Sequence, residues 1–339
     1  MATVIAGNVA IDMNDPAIGA LADGAATAAT ASYVALQTGL FLDEFRGAFL
    51  YDAFGNLAGG TLNSWRETYN GQLLFDVSGA SVPVSTFLSW VATDANITAV
   101  STILAGDDSV VGSQFSDILT GWAGNDVIVA GDGEDRINSG SGNDTVNGNA
   151  GNDTIQEVSG INYLRGDEGN DSIVGGNGFD DINGNTGNDT INAGSGDSWA
   201  VGGKDNDSLA GGTGQNLVYG NLGNDTCDGG GGNDIVRGGQ DNDVCLGGAG
   251  DDFVSGDKGS DTMTGGTGAD SFHTFGDAGL DRVTDFSRAQ GDRVQLDPGT
   301  VFAVSQVGAD TVIDMTGGGQ MILVGVSMTS LTPGWIFGA

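Results

Sequence analysis

The chain has 339 residues, 62 of them Gly and only 4 Pro, with 45 Asp plus Glu against 10 Lys plus Arg and one His, for a net charge of −35. Forty of the acids are Asp and five are Glu; Asp and Gly favour turns, whereas helices take Glu and Lys, so a mainly helical protein is disfavoured. Collagen is excluded because Gly does not recur every third residue. Nucleic acid and anionic membranes would be repelled by this charge, which calls instead for a cationic partner, most simply a metal.

The length suggests two or three domains. In residues 1–12 no basic region precedes an apolar core, so no Sec-type signal peptide is expected. An uncharged stretch at 24–42, built from small residues with Gln37 inside, reads as a buried or interfacial segment rather than a membrane span. Apolar or alternating runs at 33–41, 45–51, 61–69 and 72–77 read as strands parted by turns such as Gly55-Asn56. Asn70-Gly71 between two such runs signals a hairpin. Residues 85–91 read as a short helix. Residues 1–102 are thus expected to be a small β-rich domain that caps the region after residue 102 and has a possible role in assembly.

From residue 103 a strict period takes over. Steps of nine from Asp108 reach Asp117, Asp126, Asp135, Asp144, Asp153, Asn162, Asp171, Asp180, Asp189, Ser198, Asp207, Asn216, Asp225, Asp234, Asp243, Asp252, Asp261 and Asp270. Gly stands two residues before each, except at Phe115, Asp205 and Asp241, and an apolar residue stands two after, from Val110 to Phe272, with Ala200 the weakest. No insertion or deletion breaks the phase between 103 and 273.

This pattern resembles the RTX nonapeptide of the hemolysin-type calcium-binding family, G-G-x-G-x-D-x-U-x. Good local copies are Gly238-Gly239-Gln240-Asp241-Asn242-Asp243 and Gly247-Gly248-Ala249-Gly250-Asp251-Asp252. The resemblance implies an all-β fold, a right-handed parallel β-roll at 103–273 flanked by small β-rich N- and C-terminal caps. Each nonapeptide would give a six-residue turn and a three-residue strand, and two would complete a coil. The residues agree: Gly permits positive φ in the turns, and one apolar residue per nine suits a short strand with one inward side chain.

With 18 residues per coil, turns 18 apart stack. Carboxylates on neighbouring coils then lie about 5 Å apart, and each unneutralised pair costs roughly 3 kcal/mol at an effective dielectric of ~20. Several pairs exceed the ~5–15 kcal/mol stability of an ordinary domain, so the roll should need a hard cation to fold. Carboxylate and carbonyl oxygens are calcium ligands, and the resemblance implies one Ca2+ between each two stacked turns. One edge carries Asp117, Asp135, Asp153, Asp171, Asp189, Asp207, Asp225, Asp243 and Asp261 without a break. The other carries Asp108, Asp126, Asp144, Asp180, Asp234, Asp252 and Asp270 together with the three exceptions, Asn162, Ser198 and Asn216. About a dozen calcium sites are expected, weighted toward the first edge.

The residues just after the ladder differ between the two faces. One column is polar: Arg136, Thr154, Ser172, Thr190, Ser208, Thr226 and Thr262. The other includes Tyr163, Trp199, Leu217, Ile235 and Phe253; an exposed apolar column usually marks a contact, with a flanking domain or with a neighbouring subunit. Cys227 and Cys245, both at inward positions, are expected to be stacked free thiols.

In residues 274–339, Asp281-Arg282-Val283-Thr284-Asp285-Phe286 and Gly291-Asp292-Arg293-Val294-Gln295-Leu296 resemble the segment that ends RTX regions in type I secreted proteins. Strands are expected at 311–314, 321–326 and 335–337, and the uncharged C-terminus is similar to an uncleaved export signal. The resemblance implies an extracellular or cell-surface protein of a Gram-negative bacterium.

Catalytic motifs are missing from the sequence. It has no HExxH and no G-x-S-x-G; Gly196-Asp197-Ser198 falls in repeat phase, and His273 reads as a surface residue. The reading is a non-enzymatic, secreted, calcium-stabilised structural protein that self-assembles as a homo-oligomer or polymer, a filament or surface layer with possible cell-surface attachment, no nucleic-acid partner and no membrane span. The alternatives are a monomeric calcium-dependent adhesin or ligand-binding protein and, last, an enzyme with an unrecognised N-terminal site.

Overall fold

The computed structural model describes the backbone of six strands before residue 84 and, with their side chains, residues 106–112 and 114–338. Among the described residues the structure is all-β, apart from a 3-10 turn at Met328–Ser330. Two compact units, Met1–Tyr163 and Leu164–Ala339, use the same coil.

In the first unit, the strands Ala25–Thr30, Tyr33–Thr38, Phe41–Tyr51, Leu57–Tyr69 and Gln72–Pro83 pair antiparallel in sequence order. Tyr69 faces Gln72, the pairing that an Asn70-Gly71 connection demands. The uncharged stretch therefore supplies strands. Residues 70–71 themselves and the expected helix at 85–91 lie outside the described residues, and no described helix is long and apolar enough to cross a membrane. Thr3–Ala6 pairs antiparallel with Gln72–Pro83 and parallel with Ser109–Val111, the first strand of the periodic region. From there Ser109–Val111, Val127–Asp132 and Thr145–Ala150 form one parallel ladder, and Ile118–Thr120, Arg136–Ser141 and Thr154–Ser159 form another.

The second unit repeats this plan. Trp199–Lys204, Leu217–Leu222, Ile235–Gln240 and Phe253–Lys258 lie parallel in one sheet, and Thr190–Asn192, Ser208–Ala210, Thr226–Gly231, Val244–Ala249 and Thr262–Thr267 in the other. Paired residues are 18 apart, as at Val218 with Val236, so each coil takes two nonapeptides and the protein is a parallel β-roll. The residue two after each ladder position points inward. Ile173, Ile182, Val218, Val236, Val254 and Phe272 are all 0% exposed, each burial stabilising the coil by about 1.5–3 kcal/mol. Cys227 and Cys245 occupy two such positions in adjacent strands, buried and unbridged.

The roll continues past its last in-phase repeat. Leu280–Val283 pairs parallel with Thr262–Thr267, and Arg293–Leu296 with Ser271–Thr274. Beyond them, Phe302–Val307, Asp310–Met315 and Gln320–Leu323 make an antiparallel run joined to the roll through Leu280–Val283. Two of the expected strands lie within or overlap this run. The third matches Ile336–Phe337, which pairs with Arg293–Leu296. Phe302–Val307 was not expected, although its sequence FAVSQV is mostly apolar.

Candidate metal centre

All sixteen ladder aspartates are buried, none more than 4% exposed. Their arrangement repeats from coil to coil. From Asp126 to Asp153 and again from Asp189 to Asp270, Oδ1 of each ladder Asp accepts the backbone N–H of the ladder residue 18 earlier: Asp117 donates to Asp135 at 2.7 Å, Asp126 to Asp144 at 2.7 Å, and Asp225 to Asp243 at 2.8 Å. Oδ2 of Asp126, Asp135, Asp144, Asp189, Asp207, Asp225, Asp234, Asp243, Asp252, Asp261 and Asp270 is buried with no hydrogen-bond partner.

The space beside these oxygens shows what is missing. A Cβ placed on Gly229 would lie 2.6 Å from the Gly247 carbonyl oxygen and 2.7 Å from Asp234 Oδ2. One placed on Gly247 would lie 2.6 Å from both the Gly265 carbonyl oxygen and Asp252 Oδ2. A carboxylate oxygen of one coil and a carbonyl oxygen of the next thus converge on a niche that only Gly leaves open. Among the described residues no point gathers three acidic, His or Cys side chains, so carbonyls must complete any coordination shell. An all-oxygen set of one carboxylate per coil plus carbonyls suits a hard divalent cation of the calcium type and not a thiolate- or imidazole-seeking metal.

Burial acts on these groups before their neighbours do. It pushes the Asp126 carboxyl up to about 7 and Asp207 and Asp243 up to about 8 from an ordinary 3.8, and neighbouring ladder carboxylates add to the rise, while the accepted N–H bond opposes it. Asp135, Asp144, Asp189, Asp234, Asp252 and Asp270 rise to about 6 for the same leading reason. A folded value above the unfolded one means that protonation stabilises the metal-free roll. That stability is present below about pH 4 and is lost as pH rises through 6 to 8. In EDTA, strand content measured by circular dichroism is therefore expected to be higher at pH 5 than at pH 8; a flat profile would contradict buried, uncompensated carboxylates.

Two departures from the ladder are informative. Asn216 Oδ1 accepts the Ser198 N–H at 2.9 Å like any ladder Asp, but its Nδ2 donates to the Gly214 carbonyl at 3.3 Å. The amide brings its own hydrogen to oxygens that elsewhere face only each other. At the far end the ladder gains two members that nine-residue stepping missed. Asp281 and Asp292 are 1% exposed, and Asp270 donates its N–H to Asp292 Oδ1 at 3.2 Å. Each sits in the repeat's own Asp-x-Val setting, Asp281-Arg282-Val283 and Asp292-Arg293-Val294, which was the available signal. Asp292 Oδ2 accepts from the Ser287 N–H at 2.7 Å, whereas Asp281 Oδ2 accepts from Thr274 Oγ1 at 3.0 Å and its Oδ1 stays buried with no hydrogen-bond partner.

His273 is not the surface residue expected. Nδ1 lies 3.2 Å from Ser255 Oγ and Nε2 3.2 Å from Asp297 Oδ1, with the ring between Phe253 and Phe275. A Ser–His–Asp chain results, but Ser255 is 0% exposed and donates its hydroxyl to Asp257 at 2.8 Å. Asp257 in turn is clamped by Arg237 at 2.9 Å. The serine is out of reach of a substrate, and the network fastens neighbouring coils together. On the same sheet Trp199, Leu217, Ile235 and Phe253 stand in register on four successive coils, Trp199 51% and Ile235 46% exposed.

No curated protein matches the sequence. Among solved structures the chain is similar to the extracellular lipase LipA from Serratia marcescens, at 18% identity and a TM-score of 0.29 over 69% of this chain and 40% of that one. It is also similar to the AlgE6R3 subunit of the Azotobacter vinelandii mannuronan C5-epimerase, at 23% identity and a TM-score of 0.21 over 42% of this chain and 79% of that one. The chain thus spans well under half of the lipase. The RTX calcium-binding nonapeptide repeat matches residues 104–137, 123–155, 165–200, 201–236 and 237–272. These repeats bind calcium, and with them forming a roll of stacked, open-sided carboxylates, the chain belongs to the RTX calcium-binding nonapeptide-repeat family.

Proposed function

We propose that this is a secreted structural protein, held together by calcium, that self-assembles outside a Gram-negative cell into a filament or surface layer. The sixteen ladder aspartates are its calcium ligands, with about a dozen ions between stacked turns. The carrying observation is the apolar column of Trp199, Leu217, Ile235 and Phe253, which runs across four coils. Apolar side chains repeated at each strand spacing give a flat strip that a second copy can cover, and covering it removes apolar area from water. In this reading residues 1–102 act in assembly and 274–339 carry the type I export signal, the chain crossing the envelope unfolded and folding where calcium is plentiful.

Sedimentation and negative-stain microscopy in millimolar calcium test it. The wild-type chain is expected to form ordered assemblies. The double variant Trp199→Ser, Ile235→Thr is expected to stay dispersed with an unchanged calcium midpoint. Dispersed wild-type monomers at high concentration would remove the assembly reading and favour a monomeric adhesin that uses the same column.

A further inference from the structure

The first unit carries a cleft that the calcium ladder does not use. Ile118, Arg136 and Thr154 form one cross-strand row and Thr120, Asn138 and Gln156 the next. Alternate residues of a strand share a face, so both rows lie opposite the buried Leu119, Ile137 and Ile155. Trp122 and Val158 complete the lining, and the cleft measures about 410 Å³.

Trp122 breaks the repeat there. It stands four residues before Asp126, and the same place is taken in other coils of that edge by Gly140, Gly176, Gly194, Gly212, Gly230, Gly248 and Gly266, all at positive φ. Trp122 adopts φ 72°. The other described non-Gly residues at positive φ are Asn or Asp, which tolerate that region, whereas a bulky side chain there costs about 1–3 kcal/mol. Its indole N–H is buried and finds no acceptor in the protein. Among the described coils of that edge the only other residue to replace this Gly is Val158, and it too lines the cleft. The two departures from the turn consensus therefore meet at one place.

The polarity of the cleft is equally out of character. In a chain of 45 acids and 10 Lys plus Arg, no acid lines it and one Arg does. Asn138, Gln156, Thr154 and Arg136 are exposed, and the amides and hydroxyl can both donate and accept. An aromatic ring beside such groups matches a molecule with one apolar face and a rim of hydroxyls. We propose that this cleft binds a sugar ring of a glycan. Trp122 stacks on the ring, Asn138 and Gln156 hold its hydroxyls, and Arg136 favours a sugar that carries a carboxylate. The proposal is independent of the assembly reading, since it concerns a different face and a different unit.

Affinity electrophoresis of the calcium-loaded full chain, in gels containing a soluble neutral glucan or a soluble polygalacturonate, tests it. Retardation is expected in at least one gel and more strongly in the second. Trp122→Gly restores the turn consensus, so it is expected to fold at least as well as wild type, judged by its thermal midpoint, while binding about tenfold more weakly. Arg136→Gln is expected to remove the preference for the carboxylated polymer and leave the neutral one unaffected. Gln156→Ala, an exposed change at a residue without positive φ, supplies a second loss of binding that does not touch the strained backbone of Trp122. Absence of retardation in both gels, or equal retardation of wild type, Trp122→Gly and Gln156→Ala, overturns the proposal.

Discussion

Chelating calcium at pH 7.5 is expected to abolish the strand signal of the roll in far-ultraviolet circular dichroism, and millimolar calcium to restore it. The cause is the column of open carboxylate oxygens. Asp207, Asp225, Asp243 and Asp261 are joined through successive N–H to Oδ1 bonds of 2.8 Å, and in each the remaining oxygen is buried without a proton donor. With roughly 3 kcal/mol of repulsion for each neighbouring pair at a dielectric near 20, three such gaps already rival the ~5–15 kcal/mol that keeps a domain folded. Extracellular calcium modules bind at ~10⁻⁴–10⁻³ M. Because each ladder carboxylate borders two gaps, the transition is expected to be cooperative in calcium. A strand-rich spectrum in EDTA at this pH would show that the carboxylates are compensated in some other way.

Exchanging single ladder residues is expected to give effects of opposite sign. Asp243→Ala removes the acceptor of the Asp225 N–H and an oxygen from the gaps on either side. Loss of a buried hydrogen bond to a charged group is worth about 1.5–3 kcal/mol. The thermal midpoint in saturating calcium is therefore expected to fall by roughly 5–10 °C, and the calcium midpoint to rise several-fold. Asn216→Asp does the reverse. The new carboxylate keeps the bond from Ser198 and replaces the self-sufficient amide with an open oxygen, facing Asp234 one coil on. It is expected to stabilise the roll in calcium and destabilise it in EDTA, where it adds one more buried charge. Thermal melts of both variants with and without calcium are the measurement. If Asn216→Asp shifted the two conditions in the same direction, the niche beside position 216 would not take a cation.

Much of this was legible in the residues because the fold is written in a single short period. The nine-residue phase gives the inward column from Val110 to Phe272, the coil length and the stacked acids. The stacked thiols of Cys227 and Cys245 follow from the same count. Asp281 and Asp292 escaped it because they follow their ladder neighbours Asp261 and Asp270 after 20 and 22 residues, the extra residues being looped out before each strand. The surroundings of His273 escaped it for another reason: Ser255 and Asp297 lie 18 and 24 residues away, and only the second falls outside the period. Direction was not legible either. Nothing in the spacing says that an amide hydrogen of one coil reaches forward to the carboxylate of the next. The cleft at Trp122 is visible only once the turn backbone shows which position should have been Gly.

The forward-reaching bond makes the joints between coils alike. Each junction at an Asp rung within a unit is one amide hydrogen, one carboxylate and one pair of strands in register, as at Asp189 with Asp207 and at Asp234 with Asp252, and Asn162, Ser198 and Asn216 accept the same bond through an amide or hydroxyl oxygen. Such a column has no centre, and its energy is close to a sum over neighbours. Eighteen residues can be cut out or copied in and the ends still meet. Nine cannot, because every outward column would then change sides, setting Trp199 in line with Ser208 instead of Leu217. Evolution can therefore adjust the size of this protein as freely as a mason lengthens a wall, provided it works in whole courses.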